Sequence, residues 1–273
     1  MSLKEIHRKN QILRLNKVIK LAGVRYTPKL NVEVNIASIF DGLGRTKKFY
    51  LELKKPCYKI SKNLKSVRRI VSTITGQKFE KVEKNLTELI TLVISISDID
   101  FNKINFNKIY SLCDLSIKNV QSCRNLLRKL QNDHINNSRT GDKYKDEIYR
   151  DEINTLYKIT SNLEDLMNFS KSSIAKAANN PRILLKGKAG TGKTHFLCDL
   201  SSNRLKNSLP TFTFLGEEFN KSTNPFSTIK GLLELSIKDN ELLESINTYA
   251  ENQKVRALII IDAINTEEIS CDT

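Results

Sequence analysis

The most restrictive feature of this sequence is the octapeptide Gly187-Lys188-Ala189-Gly190-Thr191-Gly192-Lys193-Thr194, which fits GxxxxGK[ST] in full. It follows a short apolar run, Arg182–Lys186 (RILLK), and opens a helical pattern over Lys193–Asn207. Glycines let such a loop double back, so that successive backbone N–H groups point at one spot. The helix that follows adds the positive end of its dipole. A chain built this way is expected to fold there as strand, loop and helix, with the loop shaped for phosphate. Lys193 would reach the β- and γ-phosphates of a nucleotide, and Thr194 would offer its hydroxyl to Mg²⁺. All eight residues, 187–194, are therefore candidate nucleotide-binding residues; the alternative is a glycine-rich turn without a ligand.

Two further apolar runs, Thr211–Leu215 (TFTFL) and Arg256–Ile261 (RALIII), alternate with helical stretches near 193–207 and 225–252. Strands alternating with helices predict a parallel sheet. Residues 181–273 thus read as a partial α/β P-loop NTPase core with three strands. Asp262 ends the last run, at the sheet edge where α/β ligands bind, and is the candidate Mg²⁺ ligand beside Thr194. Hydrolysis would need a group that orients water. Glu267 is the candidate catalytic residue, with Glu268 beside it, and both read equally well as solvated charges. His195 and Cys198 read as packing residues of the helix after the loop.

The first 180 residues read as mostly helical. Residues 3–22 predict a basic helix that Gly23 ends, and Leu30, Val32, Val34 and Ile36 alternate like a short strand. Gly42 and Gly44 punctuate a turn. Phe49–Ser97 is helical in pattern, and Asp98–Asn107 reads as a connection. Apolar stripes from Ile109 to Leu130 and from Ile148 to Leu166 mark two more helices, with a surface loop over His134–Asp142 between them. Asn179-Asn180-Pro181 closes the region. The expected domains are 1–48, a basic segment with a short strand; 49–180, helical; and 181–273, the partial NTPase core.

Charge supports that partition. The 273 residues carry a net +15, and residues 1–70 hold 18 Lys and Arg against 4 Asp and Glu. Such a segment suits nucleic acid or an acidic partner, although lysine-rich composition alone accounts for it more simply. No apolar run approaches the ~18 residues of a membrane helix, and the charged N-terminus has no signal-peptide core. Five scattered cysteines, none in a CxxC pair, exclude a disulfide framework or zinc site and favour a reducing cytoplasm.

Three stretches together, ILLKGKAGTGKTHFLCDLS, FTFLGEEFNKSTNPFSTI and RALIIIDAINTEE, resemble the STAND-type NTPases of prokaryotic antiviral defence, the AVAST class. RYTPKLNVEVNIASIFDGLGR is loosely similar to the region preceding that NTPase. The resemblance implies ATP and Mg²⁺ as ligands, self-oligomerisation on activation, and a phage-protein ligand met through a C-terminal sensor. Where the family carries Glu directly after "DALN", this chain has Thr266, with Glu267 one place later. The family sheet also sets a later strand between the loop strand and the strand ending in Asp262. No sequence here builds one, so the chain is expected to be a piece of a longer protein. The alternatives are an AAA+-like nucleic-acid-binding ATPase that uses the basic N-terminal segment, and a degenerate remnant that mediates assembly.

Overall fold

The structure, a computed structural model, describes residues 3–23, 36–136, 148–188, 191–219 and 222–262. Its elements in chain order are α1 (Leu3–Ala22), α2 (Ala37–Gly44), α3 (Lys47–Thr75), α4 (Gln77–Ile94), α5 (Phe106–Asn136), α6 (Arg150–Lys171) and α7 (Ser173–Asn179). There follow α8 (Lys193–Lys206), β1 (Thr211–Leu215), a 3₁₀ turn (Gly216–Glu218), α9 (Pro225–Leu232), α10 (Asp239–Asn252) and β2 (Leu258–Asp262). None of the described helices is long and apolar enough to cross a membrane. Two compact units result: the described residues of Lys47–Asn180, and those of Met1–Thr46 together with Pro181–Thr273.

The Lys47–Asn180 unit is a helical bundle. Each long helix carries an apolar stripe at three- and four-residue spacing, which must be buried against a neighbour. Helix α3 packs on α4 and α6, and α5 packs on the same two, so the four close around one core. Phe49, Leu53, Phe79, Leu89, Leu127 and Leu156 are among its buried residues. The expected helical stretch 49–97 is two helices, broken at Gly76, whose φ of +52° lets the chain reverse at a single residue. His134 to Asn136, expected in a loop, continue α5. The Asn179 side chain ties the end of α7 to a single peptide, donating from Nδ2 to the Ile104 carbonyl (2.7 Å) and accepting the Ile104 N–H at Oδ1 (2.9 Å).

The other unit is organised by β1. Its residues are all buried, and the two-residue period sends alternate side chains to opposite faces. Phe212 and Phe214 join Ile229 and Leu233 around α9 with Leu242 and Ile246 of α10. Thr211, Thr213 and Leu215 face α8. There Thr213 Oγ1 and Ser201 Oγ are 2.8 Å apart, Arg204 Nε donates to Thr211 Oγ1 (2.9 Å), and Leu215 packs with Cys198 and Val18. Helix α1 lies along the same strand. Its Gln11 Oε1 accepts the Thr211 N–H (2.8 Å), and Arg14 bonds Glu218 while standing over the Phe214 ring (5.2 Å).

The expected three-strand core is not what forms. β1 pairs directly and in parallel with β2, from Thr211↔Leu258 to Leu215↔Asp262, and among the described residues these two strands are the whole sheet. Residues 182–186 join no ladder and form no regular element. A ladder needs strands about 4.8 Å apart, whereas this segment and β2 both border a cleft of about 760 Å³. Ile183 and Leu184 are correspondingly 37% and 62% exposed, unlike a strand covered on both faces. The strand expected over Leu30–Ile36 lies, except for Ile36, outside the described residues. The turn expected at Gly42 and Gly44 is instead α2, which Arg45 ends in the left-handed conformation.

Gly44 sits in that helix for a steric reason. A Cβ there would meet Arg204 Nη1 at 2.8 Å, and Arg204 is only 5% exposed and held by Thr211. Gly44→Ala is expected to destabilise the protein by about 1–3 kcal/mol, read as a lower midpoint of thermal unfolding; an unchanged midpoint would show that Arg204 moves aside freely. Burial also sets the thiols. It pushes Cys57 and Cys113 from 9.0 up to about 12, with the nearby Cys57 adding to Cys113, and it raises Cys123. The folded state therefore keeps thiol protons that the unfolded state releases, so this stability is complete below about pH 9 and lost as pH rises toward 12. At about pH 8 the four described cysteines should resist a thiol reagent until denaturant is added; rapid native-state labelling of Cys57 or Cys113 would contradict their burial.

Candidate phosphate-binding loop and acidic strand end

The loop enters α8 through Gly192, whose φ of +78° is the left-handed conformation that glycine adopts without strain. Helix α8 then starts at Lys193, and its first closing bond runs from the Phe196 N–H to the Gly192 carbonyl (2.9 Å). Its opening backbone N–H groups have no partners within the helix, as in any α-helix. The Lys193 ammonium is folded back across the loop, donating to the carbonyls of Gly187 (2.7 Å) and Lys188 (2.8 Å). Thr191 Oγ1 donates to the same Lys188 carbonyl (2.9 Å). A Cβ on Gly187 would stand 3.2 Å from Thr191 Oγ1, so a side chain there would crowd that hydroxyl.

Asp262 arrives from the other side of the sequence. Leu258, Ile260 and Asp262 are the buried residues of β2, and the register sets them beside Thr211, Thr213 and Leu215, on the α8 side of the sheet. Asp262 is 5% exposed, and its Oδ2 has no hydrogen-bond partner among the described residues. Its carboxylate lies close enough to α8 to act on Cys198. Burial first, and then the charges of Asp262 and Asp199, push that thiol up to about 11.

Gly187, Lys193 and Asp262 all border the 760 Å³ cleft, along with Phe40, Leu43 and residues 181–186. The fold thus brings the first glycine of the loop, its lysine and the strand-end carboxylate to one cavity, within the roughly 300–1,000 Å³ range of small-molecule sites. Thr194 is half-buried in the first turn of α8. Ala189 and Gly190 lie outside the described residues, as do Glu267 and Glu268. His195 pairs with Asp199 one turn on (3.2 Å) and its neighbour Phe196 packs on Phe40, with ring centroids 5.7 Å apart. Phe40 and Leu43 were not legible as cleft residues, because they come from a helix some 140 positions upstream and no local pattern marks them.

The residues present suit a magnesium ion. A buried carboxylate oxygen without a hydrogen-bond donor is an acceptor that a cation would satisfy. Among the described residues no three His, Cys, Asp or Glu cluster as a metal cage. Mg²⁺ needs none, because it keeps waters and phosphate oxygens and takes one or two protein ligands. Comparison with family models, with curated proteins and with solved structures finds no match to this chain.

The state of Asp262 yields a prediction. A buried carboxylate oxygen that finds no donor among the described residues weighs against the fold in the absence of a cation, so Asp262→Asn should leave thermal unfolding without ligand unchanged or raise it slightly. The same variant should lose the dependence of nucleotide affinity on Mg²⁺. A marked loss of stability in the ligand-free variant would mean that the carboxylate supports the strand end itself.

Proposed function

We propose that this chain binds ATP with Mg²⁺, through residues Gly187–Thr194, with Thr194 and Asp262 on the metal side. The observation that carries the reading is the meeting of Gly187, Lys193 and the buried Asp262 carboxylate at one cleft. Loop and helix N–H groups would hold the phosphates, as at other helix N-termini. Lys193 would exchange its two carbonyl contacts for phosphate oxygens, a stronger partner for an ammonium. Phe40, Leu43 and Ile183, which border the same cleft, offer apolar cover for a base. When bound, Mg²⁺ would neutralise charge between the β- and γ-phosphate oxygens.

The resemblance to STAND NTPases extends this reading to a nucleotide-dependent signalling switch of antiviral defence, able to self-associate and acting in the cytoplasm. The free, buried state of Cys57, Cys113, Cys123 and Cys198 accords with a reducing compartment. Ligand that binds only the folded state stabilises it by about 2.7 kcal/mol at a hundred times its Kd. Saturating Mg-ATP should therefore raise the unfolding midpoint of the wild type and leave that of Lys193→Ala unmoved, with calorimetric titration giving the matching loss of affinity. Equal affinities in the two proteins would refute the assignment of the loop.

A further inference from the structure

Charge in the bundle is concentrated on one helix. Helix α3 carries nine Lys and Arg against the single Glu52. Helix α4 has three of each sign, α5 has five Lys and Arg against two acids, and α6 has three against four. A compositional taste for lysine would spread over all four helices, so the excess on α3 calls for a cause of its own.

The cations are also arranged. Lys47, Lys48, Lys55, Lys59, Lys62, Lys65 and Arg69 are all exposed. At 100° per residue they fall in an arc of about 120°, opposite the buried Leu53, Ile60, Leu64 and Val71. From Lys47 to Arg69 the stripe runs for about 33 Å at 1.5 Å per residue. Leu51 and Tyr58, 57% and 59% exposed, are set among the cations. Arg68, at the margin, pairs with Glu83 (2.8 Å).

We propose that this face of α3 binds the phosphate backbone of duplex DNA. A face of exposed Lys and Arg meets the dense phosphate charge of the duplex, one negative charge per roughly 1.7 Å of its axis. The mouth of the B-form major groove, about 12 Å wide, matches the width of a helix, so lysines on both flanks of the arc reach phosphates of both strands. The major groove of A-form RNA is too narrow for that contact. A single strand is gripped chiefly by stacked aromatics, and Tyr58 alone stands exposed among these cations. A membrane surface would require an apolar face to insert, and the apolar face of α3 is buried in the bundle core. Contacts are to phosphate only, so binding is independent of sequence and steeply dependent on salt.

The test is fluorescence anisotropy of a labelled random-sequence duplex of about 24 base pairs, titrated with the whole chain without nucleotide at roughly 50 to 200 mM salt. The triple variant Lys55→Gln/Lys59→Gln/Lys62→Gln should weaken binding tenfold or more and flatten the log–log salt slope by about 2.7. The Lys→Arg triple at the same positions should keep the affinity. The exposed α4 triple Lys78→Gln/Lys81→Gln/Lys84→Gln, with the same loss of charge, should cost less than threefold. The α3 glutamine triple should still bind Mg-ATP like the wild type, which separates this surface from the nucleotide reading. Equal losses in the two glutamine triples would reduce the effect to net charge and overturn the proposal. So would absence of wild-type binding, or displacement of the duplex by duplex RNA or poly-glutamate as effectively as by unlabelled DNA.

Discussion

A five-residue strand buried on both faces, β1 carries polar groups that need partners, and beyond its ladder with β2 it draws them from three elements. Its first N–H goes to Gln11 of α1, its two threonine hydroxyls go to Arg204 and Ser201 of α8, and the N–H of Leu215 goes to Glu218 (3.0 Å) in the turn beyond. Each left unpaired would cost about 1–3 kcal/mol. The alternation of TFTFL therefore does more than fill a core. The phenylalanines recruit α9 and α10, while the threonines fix α8 in rotation and height, and α8 carries the loop lysine at its first position.

This constraint divides the basic N-terminal third of the sequence into two physical roles. In α1, Arg14 is spent internally: it is 5% exposed, bonded to Glu218 and stacked on Phe214. Asn10 donates to the Leu233 carbonyl (2.7 Å), so the helix is fastened to the residue that ends α9 as well as to β1. In α3 the cations stand outside, on the face away from the bundle core. Net charge counted along the chain cannot distinguish the two, because an arginine under a phenylalanine and a lysine in water add the same unit.

Local, periodic features were legible in the sequence. The helices of the bundle follow their apolar stripes, β1 and β2 coincide with apolar runs, and the glycine-rich octapeptide leads into a helix where its pattern requires one. What failed was the step from an apolar run to a strand at 182–186. RILLK has the composition of a buried strand, but a strand exists only by pairing, and composition does not say which edge is at hand. At Gly42 and Gly44 the sequence predicts a turn. Gly44 is instead a helix residue for want of room beside Arg204, a partner 160 positions away. The cleft residues Phe40 and Leu43 were hidden for the same reason, since their role depends on tertiary contacts alone. Asp262 was legible as a strand-end acid, whereas the lack of a partner for its Oδ2 among the described residues emerges only from its surroundings.

The missing ladder at 182–186 shifts the burden of holding the loop. In a sheet that included this segment, the loop would be fastened on both sides, by the strand before it and the helix after it. Among the described residues the helix side is the one tied to the sheet, through Ser201 and Arg204 on β1 and the packing of Cys198 beside Leu215. On the other side the chain enters the loop from an exposed, unladdered run. The lysine bridges this gap itself, drawing the carbonyls of Gly187 and Lys188 toward its ammonium. That contact ties the two carbonyls to the first residue of α8 through the group that a phosphate would engage. A ligand at the loop must then replace the clamp it removes, and it can do so only by supplying oxygens to Lys193 and to the backbone N–H groups of the loop together. Phosphate chemistry meets that requirement, because one group carries several acceptors at fixed spacing. A ligand with a single acceptor would free the lysine without re-forming the loop.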